Sequence, residues 1–143
     1  MPAHITALYP FLPKERLTGA VLRRLRELCA AAPLLEVDFR RTARFPGVLY
    51  LDPEPASGLR ELTASITKRW PEAPPYGGRF DEVIPHLTVA DSAGIDVLDD
   101  VAATVLRQLP MRTRLAEARL YVFDGERWRA RARLPFQGGC RDG

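Results

Sequence analysis

The sequence predicts an α+β fold of two similar lobes, each an antiparallel sheet with helices on its outer face, set around a central cleft. Three observations carry this. Strand-like alternation and helix-like periodicity are interspersed along the chain, as in layered α+β domains. The order strand, helix, strand, strand runs over residues 4–52 and again over 86–135. The opening strand of each half also bears the same pattern, His4-Ile5-Thr6 and His86-Leu87-Thr88, in a chain with only two histidines. The repeat places an N-lobe at about residues 1–72, a C-lobe at about 73–137 and a short tail at 138–143, related by an internal pseudo-twofold axis.

Residues 4–9, between Pro2 and Pro10, read as a strand with His4, Thr6 and Leu8 on one face and Ile5, Ala7 and Tyr9 on the other. From Arg16 to about Ala32, Leu17, Val21, Leu25, Leu28 and Cys29 recur at helical spacing, and Pro33 ends the helix. Leu35, Val37 and Phe39 alternate with charged residues as a half-buried strand. Phe45-Pro46-Gly47 is a turn, and Val48 to Leu51 a buried strand closed by Asp52-Pro53. Ser57 is placed to cap a helix whose apolar stripe is Leu59, Leu62, Ile66 and Trp70. Residues 71–85 are rich in Pro and Gly and form a long loop, read either as a functional loop or as a plain connector with an aromatic anchor. Pro85 enforces extended chain ahead of the strand His86 to Ala90. A third helix spans about 95–109, burying Leu98, Val101, Ala102, Val105 and Leu109. Strands at about 113–123 and 127–135 flank the turn Asp124-Gly125, and the chain beyond Phe136 reads as a frayed tail.

At 143 residues the chain is one domain long enough for a real core, and its 46% apolar content is that of a globular protein. No apolar run approaches the roughly 18 residues of a membrane span. No basic and then apolar leader opens the sequence, so the expected location is the cytoplasm. Cys29 and Cys140 lack metal or redox spacing and read as two separate thiols, a disulfide to the tail being the alternative. The net charge of +3 suits an anionic partner without requiring one. Arg127, Arg129, Arg131 and Arg133 alternate with apolar residues as a basic stripe, read first as a solvated or protective strand face and second as a track for an RNA backbone.

Residues i and i+2 on a strand point the same way, about 6.5–7 Å apart. A histidine and a threonine at that spacing can converge on one tetrahedral anion, and two such pairs related by a twofold axis can clamp a phosphate. The threonines donate to non-bridging oxygens. One neutral imidazole takes a proton from the nucleophile, and the other, as imidazolium, protonates the leaving oxygen. No metal or cofactor is expected. The substrate suited to this chemistry is a strained phosphodiester such as a 2′,3′-cyclic phosphate. Tyr76 and Arg79 in the long loop are candidates for base stacking and phosphate contact. Tyr9 is a weaker one, because alternation turns it away from His4.

His-Ile-Thr-Ala-Leu-Tyr-Pro-Phe at 4–11, Phe-Pro-Gly-Val-Leu-Tyr-Leu at 45–51 and Ile-Pro-His-Leu-Thr-Val-Ala at 84–90 resemble the two-histidine (2H) phosphoesterase superfamily, and within it the bacterial 2′-5′ RNA ligase family. The resemblance spans about residues 4–135. It implies a bilobal fold around a cleft and metal-independent hydrolysis of 2′,3′-cyclic or 2′-5′ phosphodiesters in nucleotides or RNA ends, with ligation as the reverse reaction. It assigns the catalytic roles to His4, Thr6, His86 and Thr88. A non-catalytic module binding a nucleotide or RNA end in the same cleft is the alternative, and a protein-interaction domain that keeps only the fold is a third reading. Because the symmetry axis lies within the chain, a monomer suffices.

Overall fold

The computed structural model describes residues 4–78, 84–91 and 94–136. These form three α-helices, α1 (Gly19–Ala31), α2 (Ser57–Arg69) and α3 (Ile95–Leu106). Their six strands are β1 (Leu35–Phe45), β2 (Val48–Glu54), β3 (Leu87–Asp91), β4 (Met111–Leu115), β5 (Glu117–Phe123) and β6 (Trp128–Pro135). The fold is α+β, with two antiparallel sheets and three helices among the described residues. One sheet has the order β3-β2-β1-β4, and a second holds β5-β6.

Each packing unit draws on both halves of the chain. α3, from the second half, covers the first-half hairpin β1-β2. α1, from the first half, covers β6 of the second-half hairpin. Two cores result. One joins Leu22, Leu25 and Cys29 of α1, Leu62 and Ile66 of α2, Leu120 of β5 and Leu134 of β6. The other lies around the four-stranded sheet, on Val37, Phe39 and Leu51 and on Leu49, Leu98 and Ala102. The element repeat is thus realised by exchange, each hairpin receiving its helix from the other half.

The helices follow from local chemistry. α1 begins at Gly19 because Thr18 caps it, its hydroxyl accepting from the Val21 N–H at 3.3 Å. The residues before it make a 3₁₀ turn, Lys14–Arg16, so the helix starts later than the periodicity predicts. Ser57 is the first residue of α2 and not its cap. Ala56 holds that position without a side-chain bond, while the predicted stripe Leu59, Leu62, Ile66 and Trp70 is buried as expected. α3 ends at Leu106, short of the expected Leu109.

Two predicted strands change. Over 4–9 the chain makes a single antiparallel bridge, Ile5 to Leu87, and no longer strand. Side-chain alternation holds through Ala7 and lapses at Leu8, which packs with Ala7 on the α1–α2 core, while Tyr9 is exposed. The predicted strand 113–123 is two strands in two sheets. β4 pairs with β1, β5 pairs with β6, and the chain crosses over at Ala116, whose carbonyl accepts from the Phe136 N–H at 2.9 Å. The inward positions show the change, passing from odd (Thr113, Leu115) to even (Ala118, Leu120) across that residue.

The arginine stripe is broken by the same physics. Leu120 pairs with Ala132 but Tyr121 pairs with Ala130, so Arg131 is an extra residue and the strand's facing inverts beyond it. Arg133 therefore lies opposite Arg119, and Arg129 opposite Val122 on the other face. Arg133 and Arg119 both bind Glu117, and Arg129 binds Asp124. The two arginines hold the Glu117 carboxyl down at about 2. Cys29 is a free, buried thiol whose pKa burial raises to about 11, and Cys140 lies outside the described residues.

Candidate active site

The bridge between Ile5 and Leu87 joins the middle residues of the two tripeptides. In antiparallel register, the residues flanking such a bridge are neighbours across it, His4 beside Thr88 and Thr6 beside His86, with Cα atoms about 4.5–5.5 Å apart. Ile5 and Leu87 both pack into the core on Val37, Phe39 and Leu51. Alternation then turns all four flanking side chains to the opposite face. Thr88 and His4 are exposed there, and His86 and Thr6 are half-buried.

His86 is held in place by the hairpin β1-β2. Tyr50 is the register partner of Thr88 and of Ala43, and Phe45 of Val48, which puts Phe45, Tyr50, His86 and Thr88 on one sheet face. Phe45 stacks on Tyr50 at 4.4 Å, and the two rings meet the imidazole edge-on at 5.3 and 5.6 Å. Gly47 makes this hairpin, taking φ +73° in the turn, where a side chain would be strained. The β2-β3 register shifts between Leu49 and Tyr50, leaving Val89 as an extra residue immediately after Thr88. The His86 Nδ1 lies 2.8 Å from the Ile84 carbonyl oxygen. A carbonyl only accepts, so Nδ1 carries the hydrogen and Nε2 is the basic nitrogen of the neutral ring.

The first tripeptide is tethered through its backbone at alternate residues. Beyond the Ile5 bridge, the buried Thr63 hydroxyl of α2 donates to the Ala7 carbonyl at 2.6 Å, and the Tyr76 N–H donates to the Tyr9 carbonyl. Tyr76 itself sits at φ +52°, in a left-handed conformation uncommon for an aromatic residue, and burial raises its hydroxyl pKa. On the far side of this segment lies a cavity of about 870 Å³, lined by His4, Thr6 and Tyr9, by Leu25, Cys29, Leu62 and Ile66, and by Arg119, Tyr121 and Trp128 among others. Its volume is that of a small-ligand pocket. His86 and Thr88 are not among its lining residues; they stand across the bridge from it.

A family profile described as the 2′-5′ RNA ligase superfamily matches residues 1–127. The chain belongs to the 2′-5′ RNA ligase superfamily. This is the two-histidine phosphoesterase superfamily that the tripeptides indicate. No curated protein is significantly similar to the chain.

For this superfamily member, the structure brings together His4, Thr6, His86 and Thr88 around one bridge and sets Tyr9 on the rim of the adjoining cavity. Tyr76 reaches the site through its backbone bond to Tyr9, and Arg79 lies outside the described residues. Tyr9 is exposed and meets Trp128 edge-on. Three neighbours escaped the sequence reading, namely Phe45, Tyr50 and Thr63. The first two stand in the Phe-Pro-Gly-Val-Leu-Tyr-Leu stretch, whose identical parity on either side of a two-residue turn was the available signal. Thr63 gave none, being one threonine on a buried helical face. Among the described residues, no group of three His, Cys, Asp or Glu side chains is arranged to hold a metal ion, and no helix is long and apolar enough to cross a membrane.

Proposed function

We propose that the chain is a phosphodiesterase acting, without a metal, on 2′,3′-cyclic or 2′-5′ phosphodiesters at nucleotides or RNA ends. The observation that supports this is the Ile5–Leu87 bridge, which joins the middle residues of the two histidine–threonine tripeptides. Thr6 and Thr88 donate hydrogen bonds to the non-bridging oxygens of the phosphate, stabilising the charge that grows there. One histidine takes the proton of the attacking water and the other delivers a proton to the departing ribose oxygen. His86 works through Nε2, because Nδ1 is committed to the Ile84 carbonyl. Tyr9, Tyr76 and Arg79 contribute to substrate binding. With a 5′-hydroxyl in place of water, the same two proton transfers open a 2′,3′-cyclic phosphate to a 2′-5′ diester, the 3′-oxygen leaving as a hydroxyl, which is the ligase direction.

The test is hydrolysis of the four nucleoside 2′,3′-cyclic monophosphates and a 2′-5′-linked dinucleotide in EDTA. Turnover by the wild-type protein, a bell-shaped dependence of rate on pH and loss in His4→Ala and His86→Ala are expected. Full activity in either variant overturns the reading. Saturable binding of these compounds with no product would instead identify a binding module using the same cleft.

A further inference from the structure

Three large aromatic side chains stand exposed in a row beside the cavity that His4 and Thr6 line. Tyr9 is 50% exposed, Trp128 44% and Phe123 47%. Tyr9 meets Trp128 edge-on at 5.9 Å, and Trp128 meets Phe123 at 5.5 Å. Tyr9 and Trp128 also line the cavity.

The row has a defined backbone. Phe123 and Trp128 are register partners at the tip of the β5-β6 hairpin. The Arg131 bulge turns Trp128 and Ala130 onto the same face as Arg119, Tyr121 and Phe123, with Arg133 opposite Arg119. That face therefore presents aromatic rings at its tip, the small Ala130 beside Tyr121, and two guanidinium groups at its base. Glu117 binds both guanidinium groups and so fixes their position.

Closing the hairpin does not need the aromatic pair. The Asp124 carboxylate already accepts from the Glu126 and Arg127 N–H groups at 2.9 Å, and the Asp124 N–H donates to the Arg127 carbonyl at 3.1 Å. Leaving three aromatic rings half in water forgoes burial energy, and contiguous patches of this kind mark binding surfaces. Flat rings with guanidinium groups on the same face suit unpaired nucleobases, which stack on both. Continuity with His4 and Thr6 points the same way. Tyr9 follows Thr6 by only three residues, and both line the same cavity.

We infer that this aromatic face binds the base of the nucleotide adjacent to the scissile one, so that the preferred substrate is a short single-stranded RNA end and not a free mononucleotide. The inference rests on the phosphodiesterase reading above. Trp128 is its central residue, touching both Tyr9 and Phe123.

The experiment compares a nucleoside 2′,3′-cyclic monophosphate with a trinucleotide ending in the same cyclic group, in EDTA. Wild type is expected to favour the trinucleotide at least about tenfold in kcat/KM, in line with the strength of one aromatic–base stack. Trp128→Ala is expected to abolish most of that preference, and Trp128→Phe to keep most of it. Equal use of both substrates by wild type, or a preference that survives Trp128→Ala, overturns the inference. If neither substrate turns over, the phosphodiesterase reading fails and fluorescence decides the platform separately. Trp70 is only 2% exposed, so quenching by a ligand in solution reports Trp128. Quenching by a 3′-phosphorylated trinucleotide at about tenfold lower concentration than by the mononucleotide supports the platform. Equal quenching, or none, overturns it.

Discussion

The two histidine–threonine tripeptides share a pattern but not a setting. His86 leads into β3, which is paired along its length with β2, and its ring is hydrogen-bonded at Nδ1 and flanked by Phe45 and Tyr50. His4 opens a segment that makes one bridge to that sheet and is otherwise secured through the Ala7 and Tyr9 carbonyls. The second tripeptide is oriented by a sheet and the first by tethers. The difference teaches that identical chemistry can be positioned at one site by two routes, a cooperative ladder on one side and a few separate bonds on the other. The tethered side is the one beside the cavity.

The largest effects test whether the two sides are equal partners in the chemistry. His86→Ala and His4→Ala are each expected to lower kcat on a 2′,3′-cyclic nucleotide by about 10²–10⁴-fold, the usual contribution of a general acid or base. Loss in one variant with full activity in the other would break the partnership and overturn the two-histidine reading.

Next in size is the tether. Thr63→Val keeps the shape of α2 but leaves the Ala7 carbonyl without its donor, a loss of about 1–3 kcal/mol when such a group stays buried. We expect activity to fall about tenfold and the thermal midpoint to drop, with Thr63→Ser restoring both. A drop in stability with unchanged kcat would mean that the tether supports the fold and not the geometry of Thr6. On the ladder side, Phe45→Leu removes one ring from the His86 clamp, where an aromatic contact contributes about 0.5–1.5 kcal/mol. A fewfold fall in kcat with little change in KM is expected, smaller than the Thr63→Val effect because the Ile84 bond and Tyr50 remain. The reverse ranking would show that the sheet side is the more fragile of the two.

The smallest effect concerns Glu117, which links Arg119 and Arg133 beside the cavity. Its carboxyl pKa is lowered from 4.5 to about 2 by the two guanidinium groups. A lowered folded-state pKa stabilises the fold above the ordinary carboxylate pKa, and that stabilisation is lost as pH falls through the folded value. Wild type should therefore lose thermal stability between about pH 4.5 and 2 more steeply than Glu117→Gln. Parallel curves for the two proteins would show that the cluster is a surface feature without weight.

Much of this was legible in the chain itself. The buried stripe of α2, the alternation of Val37 and Phe39, the turn at Phe45-Pro46-Gly47 and the paired tripeptides all follow from periodicity, turn chemistry and residue type. These are local properties, fixed within a few residues by backbone sterics and by which side chains can leave water. The family follows from them too, because the tripeptides and their flanking residues are contiguous. What sequence could not supply was any choice between partners. Residues 4–9 have the composition of a strand, yet only Ile5 forms a ladder contact. The stretch 113–123 reads as one strand, yet it divides at Ala116 between two sheets. The arginine stripe looks continuous, yet one bulge at Arg131 sends Arg129 and Arg133 to opposite faces. Strand pairing, bulges and cavities are set by competition among distant segments for the same edges and the same apolar surface, and no single segment encodes its outcome. The tertiary structure alone decided that the second-half tripeptide joins the first-half hairpin, that Ile5 and Leu87 share a bridge, and that Trp128 stands beside Tyr9.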